Sequence, residues 1–418
     1  MAAELAVNGG PKTRDTSIKP WPSVSNRSGR DFGQEEIDLL TQVIQSGNLF
    51  YYGGTTVKQF EAEYGALSGA KHVLGVTSGT AALHTAVAAL QLEVGDEIIT
   101  TTVTDMGTII GILQCNQIPV FADVDRRTMI LRPDSIESQI TDRTRAIIAV
   151  HLFGQPAPMD EIMDVARRHS LYVIEDCAQS HGAAFDGQPV GTIGDLGCFS
   201  MQQSKQITTG DGGIVISNND DLAVNARCFH DKYFDRGGEY RGYPRIGINY
   251  RMNELTGAVA LAQTRKLPSI LERRRASAQL LWDKVNTLPG IKAPWVHEKA
   301  RHSWWIFSFQ IDEEVLKCDV PTFRAAIAAE GLSFSTGYAG GIPICMYPGL
   351  KDHTAYGSGH FPWEPPYGRD VVYRTEDYPE TVWAQANTFV TSWNEGYNEE
   401  DVEDIYQGLK KVAEAYAR

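Results

Sequence analysis

Lys205 lies in FSMQQSKQITTGDGGIVISN, residues 199–218, and is the only charged residue there before Asp211. A lysine so isolated is either exposed, the common case, or buried. Burial lowers its pKa and makes the neutral amine a nucleophile. Twenty-nine residues earlier, VIEDCAQSHGA (173–183) ends an apolar run at Asp176. A carboxylate there is costly unless partnered. It caps a helix, pairs with an arginine, or accepts a hydrogen bond from a protonated ring nitrogen. His181, in the same stretch, is either a titrating donor or a structural histidine. VTSGTAAL (76–83) places Ser78, Gly79 and Thr80 between a strand and a helix. Free backbone N–H groups, hydroxyls and the positive end of a helix dipole suit a phosphate there. A plain helix cap uses the same residues. Ser200 and Ser204 add hydroxyls beside the lysine. Asn249 and Arg251, in GINYRMNEL (247–255), precede a long helical run, where capping also explains them. Together, a phosphate cradle, a carboxylate for a ring nitrogen and a later lysine are the parts needed to hold pyridoxal phosphate.

These residues need a frame. From residue 73 onward short apolar runs alternate with helical ones: HVLGV, TAALHTAVAALQ, DEIITTTVT, MGTIIGILQCN, IPVFADV, RAIIAVHLFG, PMDEIMDVARRHS, LYVIEDCA, GCFSMQQ and GGIVISN. Such alternation predicts an α/β fold with a mostly parallel sheet and helices on both faces. Ligand sites in such sheets lie at the carboxyl ends of the strands, where the candidate residues fall. Before this region, GQEEIDLLTQVIQSG and TTVKQFEAEYGALSG have helical spacing. Residues 1–34 read as an irregular N-terminal arm, 35–260 as the large α/β domain, and 261–418 as a linking helix and a smaller α+β domain. The helix over 253–287 is expected to kink at Pro268. The segment 350–376, rich in Gly, Pro and Tyr, reads as a long loop of the kind that often binds ligands.

The chain has 418 residues and a formal net charge of −14. That charge argues against a nucleic-acid partner or an anionic membrane surface, both of which need clustered Lys and Arg. No apolar run has the length of a membrane span, and the N-terminus lacks a signal-peptide pattern. The six cysteines form no CxxC pair, so they read as thiols in a reducing, cytoplasmic compartment. No GxxxxGK[ST], HExxH or GxSxG motif occurs.

The order TSGTAAL, IEDCAQSHGA, FSMQQSKxxxxGDGG and GxNYRMNEL resembles the DegT/DnrJ/EryC1/StrS family of pyridoxal-phosphate aminotransferases. The likeness runs from about residue 35 to the C-terminus. It implies an aspartate aminotransferase-like fold and a homodimer with sites at the interface. It implies a cofactor that cycles between pyridoxal and pyridoxamine phosphate, with glutamate or glutamine as donor. The acceptor would be a keto sugar, nucleotide-linked or not, or a keto cyclitol, on an aminosugar or aminoglycoside antibiotic pathway. By the resemblance Lys205 is the Schiff-base lysine and Asp176 pairs with the pyridine nitrogen. Ser78, Gly79, Thr80 and Ser200 hold the phosphate. Gln179 lies near the phenolic oxygen with His181 nearby, and Asn249 reaches the partner subunit's phosphate. One departure stands out. Where the family stacks an aromatic side chain on the ring, this chain reads TVTDMGT, so Asp105 or Met106 occupies that place. Met106 is the expected ring contact. Tyr51, Tyr52, Trp304, Trp305 and the run 356–374 either line a polyol pocket or are core aromatics. The rival readings are a dehydratase of the same family, which carries His in place of the lysine, and a non-catalytic binding protein.

Overall fold

The computed structural model describes residues 4–234, 236, 243–369 and 371–417. Two helices open the regular structure, α1 (Gln34–Ser46) and α2 (Thr56–Ser68), each closed by a left-handed glycine, Gly47 and Gly69. Then β1 (His72–Val76), α3 (Gly79–Ala89), β2 (Glu97–Thr101), α4 (Met106–Gln114) and β3 (Ile118–Ala122) alternate. They continue through β4 (Thr144–Val150), α5 (Met159–His169), β5 (Tyr172–Asp176), β6 (Leu196–Ser200), β7 (Gly213–Ser217) and α6 (Asp220–His230).

The seven strands form one sheet in the order β1-β7-β6-β5-β4-β2-β3. Only β7 runs against its neighbours; the pairs from β6 to β3 are all parallel. Alternation within each strand divides the burial. Ile98, Ile148 and Ile174 pack on α3 residues such as Leu83 and Val87 on one face. Their neighbours Ile99, Ile147 and Val173 pack on Ile162 and Val165 of α5 on the other. Both faces are covered, which is why the central strands read as continuous apolar runs.

The helix α7 (Glu254–Val285) runs unbroken through Pro268, so the expected kink does not interrupt it. Leu261, Leu267 and Ile270 join the core beside α2, while Ala278, Leu281 and Val285 join a second core. That second core backs an antiparallel sheet of β8 (Ile291–Lys292), β9 (Ile306–Ile311), β10 (Ser335–Thr336) and β11 (Thr388–Ser392). It is covered by α8 (Val320–Ala329) and α10 (Glu399–Tyr416), with α9 (Pro379–Asn387) leading into β11. A buried ion pair, Arg274 to Glu395 at 2.7 Å, stitches α7 to the chain after β11.

The N-terminal arm has little regular structure, as its composition predicts, yet it is anchored. Arg14 is buried, 2.8 Å from Asp401, with its guanidinium stacked 3.5 Å from the Trp21 ring. The long segment 344–378 carries only short helical turns. Its Ile344, Leu350, Trp363 and Tyr373 pack on Ile118 and Phe121 of β3, and Tyr373 donates a hydrogen bond to Pro119 O at 2.7 Å. Arg369 pairs with the buried Glu97 on β2. This segment is a structural brace here and does not line the cavity described below; its Asp370 lies outside the described residues.

Candidate active site

The carboxyl ends of β1, β2, β5 and β6 open onto one cavity of about 380 Å³. Ser78, Gly79 and Thr80 line it at the start of α3, and Asp176, Gln179, Ser200 and Lys205 line it from the ends of β5 and β6. Residues spread over 128 positions of sequence are thus gathered by the parallel strands.

Ser78 caps α3, its hydroxyl accepting from Ala81 N at 3.0 Å. Gly79 and Thr80 begin the helix and present its amino end to the cavity. The fit here is tight: a Cβ on Gly79 would lie 2.7 Å from Ser200 Cβ. A Cβ on Gly213 would lie 2.1 Å from Ser78 O. Only glycine lets β6 and β7 approach the helix end this closely. Ser200 sits 6% exposed beside it.

Asp176 ends β5, where its carboxylate is almost fully buried. Oδ2 accepts from the Thr108 hydroxyl at 2.7 Å and Oδ1 from Ala178 N at 3.0 Å. Thr104 Oγ lies 2.6 Å from Thr108 Oγ. Because Thr108 donates to the carboxylate, Thr104 donates to Thr108. Burial raises the Asp176 pKa, and these donors and Lys205 oppose it. Such a group gains most from a cationic N–H donor arriving in the cavity.

Lys205 has 9% of its surface exposed, and no carboxylate of the described residues lies within ion-pair distance. Its Nζ lies 3.8 Å from the centre of the Trp305 ring. Burial pushes its pKa down to about 8, while Asp176 and then Asp105 pull it partly back. The turn that carries it is held from outside. Trp305 Nε1 donates to Ser204 O at 2.8 Å, Gln203 donates to Val24 O at 2.7 Å, and Arg30 donates to Lys205 O at 2.7 Å. Val24 and Arg30 belong to the N-terminal arm.

Gln179 is fixed at both ends of its amide: Oε1 accepts from Phe153 N at 2.7 Å, and Nε2 donates to Tyr338 Oη at 3.0 Å. Trp305 and Tyr338 supply the aromatic walls.

Three of the candidate residues do not line this chain's cavity. His181 is fully buried behind the cavity wall. Its Nε2 lies 2.8 Å from Ser200 O, which can only accept, so that nitrogen carries the proton. Its Nδ1 then accepts from Tyr64 Oη at 3.0 Å. Burial lowers its pKa to about 4. It is a neutral brace for Ser200, and the titrating role is corrected to that. Met106 does not line the cavity; the start of α4 turns it onto the cluster of Ile109, Phe121 and Trp363. Asp105 lines the cavity in its stead. Asn249 is exposed and absent from this chain's own cavity wall. Of the candidate polyol aromatics only Trp305 lines the cavity. Tyr51 is in the core under α2, and Trp304 stacks on His302 and Phe307. Thr104, Thr108 and Tyr338 were not singled out from sequence. The Asp-to-Thr chain could have been suspected from Thr104 and Thr108, four residues apart where β2 gives way to α4; Tyr338 sits in a glycine-rich loop with no signal of its own.

The cavity thus offers a buried nucleophilic amine, a buried acceptor for a cationic N–H, and a helix amino end with two hydroxyls. These are the contacts a pyridoxal phosphate requires at its aldehyde, ring nitrogen and phosphate.

Known proteins are similar to this chain in sequence and in fold. The chain is 36% identical over 345 residues to a putative L-glutamine:3-amino-2,3-dideoxy-scyllo-inosose aminotransferase from Micromonospora echinospora, covering 80% of this chain and 79% of that one. It is also 36% identical over 261 residues to a GDP-perosamine synthase from Caulobacter vibrioides, covering 62% and 70%. Among solved structures, an aminotransferase from Psychrobacter cryohalolentis superposes with a TM-score of 0.81 at 27% identity, covering 93% of this chain and 99% of that one. Residues 30–364 match a family whose members depend on pyridoxal phosphate, and the chain belongs to it: the DegT/DnrJ/EryC1/StrS aminotransferase family.

Proposed function

We propose that the protein transfers an amino group from glutamate or glutamine to a keto sugar or keto cyclitol, using pyridoxal phosphate held in this cavity. The observation that carries the reading is Lys205, buried and unpaired by any carboxylate of the described residues, in one cavity with Asp176 and the amino end of α3. Pyridoxal phosphate, when bound, supplies a conjugated ring that takes up the electron pair left when a proton leaves the amino-bearing carbon. The chain's residues do the rest. Gly79 and Thr80 N–H groups and the Ser78 and Ser200 hydroxyls hold the phosphate. Asp176 accepts a hydrogen bond from the ring N–H and keeps that nitrogen protonated; Thr108 and Thr104 hold the carboxylate in place. Lys205 would hold the cofactor at its aldehyde end, and its neutral Nζ would move a proton as general base and acid. Its low pKa keeps a useful fraction neutral near pH 8. Gln179, its amide locked by Phe153 and Tyr338, would orient the phenolic oxygen.

The relatives' names span cyclitols and nucleotide sugars, and an aminosugar or aminoglycoside pathway accommodates both. The reading includes a homodimer. The exposed stretch around Asn249, with Tyr243 at 62% and Ile246 at 93% exposure, is the surface a second copy would cover. Asn249 would then serve the neighbour's phosphate. The dehydratase reading expects His at position 205, which is Lys here. Purified protein with added pyridoxal phosphate should show a visible absorbance band that glutamate or glutamine bleaches. Lys205→Ala should lose the band. A wild-type protein that takes up no cofactor, or a bound cofactor that neither donor changes, overturns the reading.

A further inference from the structure

Lys205 sits in a turn that belongs to no strand or helix. Its N–H donates to Gln202 O at 2.9 Å, which closes the turn. Its carbonyl is met by Arg30 and by no other donor among the described residues. Arg30 is 6% exposed. Burial lowers its pKa to about 10, while Glu395 draws it up and Arg274 pushes it down. The Glu395 carboxylate lies between these two cations. Its Oε2 accepts from Arg274 Nε at 3.0 Å and Nη2 at 2.7 Å, while its Oε1 is 3.6 Å from Arg30 Nη1. That Oε1 and Arg30 Nη2 are both buried and make no hydrogen bond among the described residues. Arg30 thus makes its shortest contact, 2.7 Å, with the lysine's carbonyl and not with its counter-ion. A buried charge is a costly way to hold a carbonyl, and buried ion pairs add little to stability over apolar packing. What the cation supplies here is a strong, directed donor at one peptide. The arm that carries it is tied to the segment that carries Glu395, since Asn394 Nδ2 donates to Pro22 O at 3.0 Å.

We propose that Arg30 is a positioning residue for the reaction: by holding the Lys205 carbonyl it sets the turn so that the amine stays buried in the cavity over the Trp305 ring. This rests on the aminotransferase reading above and adds to it a residue of the N-terminal arm. The other anchors act beside the lysine. Trp305 Nε1 and the Gln203 side chain fix the two residues before it, and Gln206 Nε2, donating to Gln179 O at 2.6 Å, fixes the one after. The carbonyl between them answers to Arg30. With Arg30 gone, that carbonyl turns toward another donor, the lysine's Cα turns with it, and Nζ reaches water. The groups that face Nζ are Asp176 at the end of β5 and Asp105 at the start of α4, with the Trp305 ring against it. Asp211 and Tyr338 line the same cavity. Both facing carboxylates draw the Lys205 pKa up and burial draws it down, so an amine that reaches water holds its proton to higher pH.

The test uses the cofactor-free protein and follows the rate of pyridoxal phosphate uptake against pH by stopped-flow absorbance. The wild-type rate should level off near pH 8. Arg30→Met should level off about one unit higher or more, and at pH 7 it should be slower by about tenfold, since each unit costs about tenfold in neutral amine. This variant orphans no charge, because Glu395 keeps Arg274. Arg30→Gln, whose side chain stops short of the carbonyl, gives the same reading where the methionine variant does not fold. Glu330→Ala frees the far end of the arm at Ala6 and Thr13 and should leave the plateau near 8. Whatever a second copy brings to the cavity is common to every protein compared. A role confined to stability would lower the urea midpoint of the Arg30 variants and leave their plateau near 8, which overturns the inference. A plateau that Glu330→Ala moves as far as the Arg30 variants do overturns it too. A wild type that takes up no cofactor removes the aminotransferase reading itself. Wild-type uptake with an unmoved plateau in the Arg30 variants removes this inference alone.

Discussion

Replacing Lys205 by methionine should make the cofactor-free protein more stable at neutral pH. The folded chain holds the ammonium at 9% exposure, with a pKa of about 8 against 10.5 for a free side chain. At about 1.36 kcal/mol per tenfold change, that difference is a penalty of about 3 kcal/mol on folding with the proton in place. The cation over the Trp305 ring returns about 1 kcal/mol, leaving about 2 kcal/mol for methionine to recover. Methionine keeps the length of the stem and its packing. The pH dependence has a definite sign, because this pKa is lowered on folding. Below pH 8 both folded and unfolded chains hold the proton, and the whole penalty applies. Between about 8 and 10.5 the folded chain has released it and the unfolded chain has not, so the wild type gains stability as pH rises. Above both values the penalty is gone. Paired urea unfolding of wild type and Lys205→Met, without cofactor, should show a gap of about 2 kcal/mol at pH 7 that falls by more than half at pH 10. A variant no more stable than wild type at pH 7, or a gap that ignores pH, would refute the burial argument.

Three further outcomes are expected. The rate of pyridoxal phosphate uptake by the cofactor-free protein should rise with pH and level off near 8, because the neutral amine attacks; stopped-flow absorbance reads it, and a rise continuing to 10 would place Lys205 in solvent. His181→Phe should cost about 2 kcal/mol of stability, since Ser200 O and the Tyr64 hydroxyl lose a buried partner. With the His181 pKa at about 4, it should leave the shape of the turnover–pH profile unchanged between pH 5 and 7. Gly79→Ala should weaken cofactor binding at least tenfold, because its methyl displaces Ser200; equilibrium dialysis would show this, and unchanged affinity would mean that the phosphate lies elsewhere.

Strand and helix placement was legible because both faces of the sheet are covered, so buried strands such as Ile118–Ala122 and Gly213–Ser217 stand out as apolar runs between polar turns. Lys205 and Asp176 were legible because each breaks a local pattern, one as a lone charge and the other as an acid ending an apolar strand. His181 misled for the opposite reason. Its two partners, Tyr64 and Ser200 O, come from an earlier helix and a later strand, and no local spacing encodes them. Choosing between Asp105 and Met106 depends on which way the first residue of α4 points. A single helical turn decides it, and the strand-to-helix boundary cannot be read so finely. The arm's grip on the lysine turn was invisible too, since Arg30 and Lys205 are 175 residues apart.

The brace over β3 also bears on how this protein can associate. An outer strand leaves a row of backbone groups open, and a strand from another molecule can add there. Here Pro119 has no N–H to offer, its carbonyl is taken by Tyr373, and Trp363 and Leu350 pack over its neighbours. That side of the sheet is closed as a template for strand addition. A copy that met this side would meet the brace and not a strand edge, which leaves the sheet, and the cavity at its strand ends, undistorted.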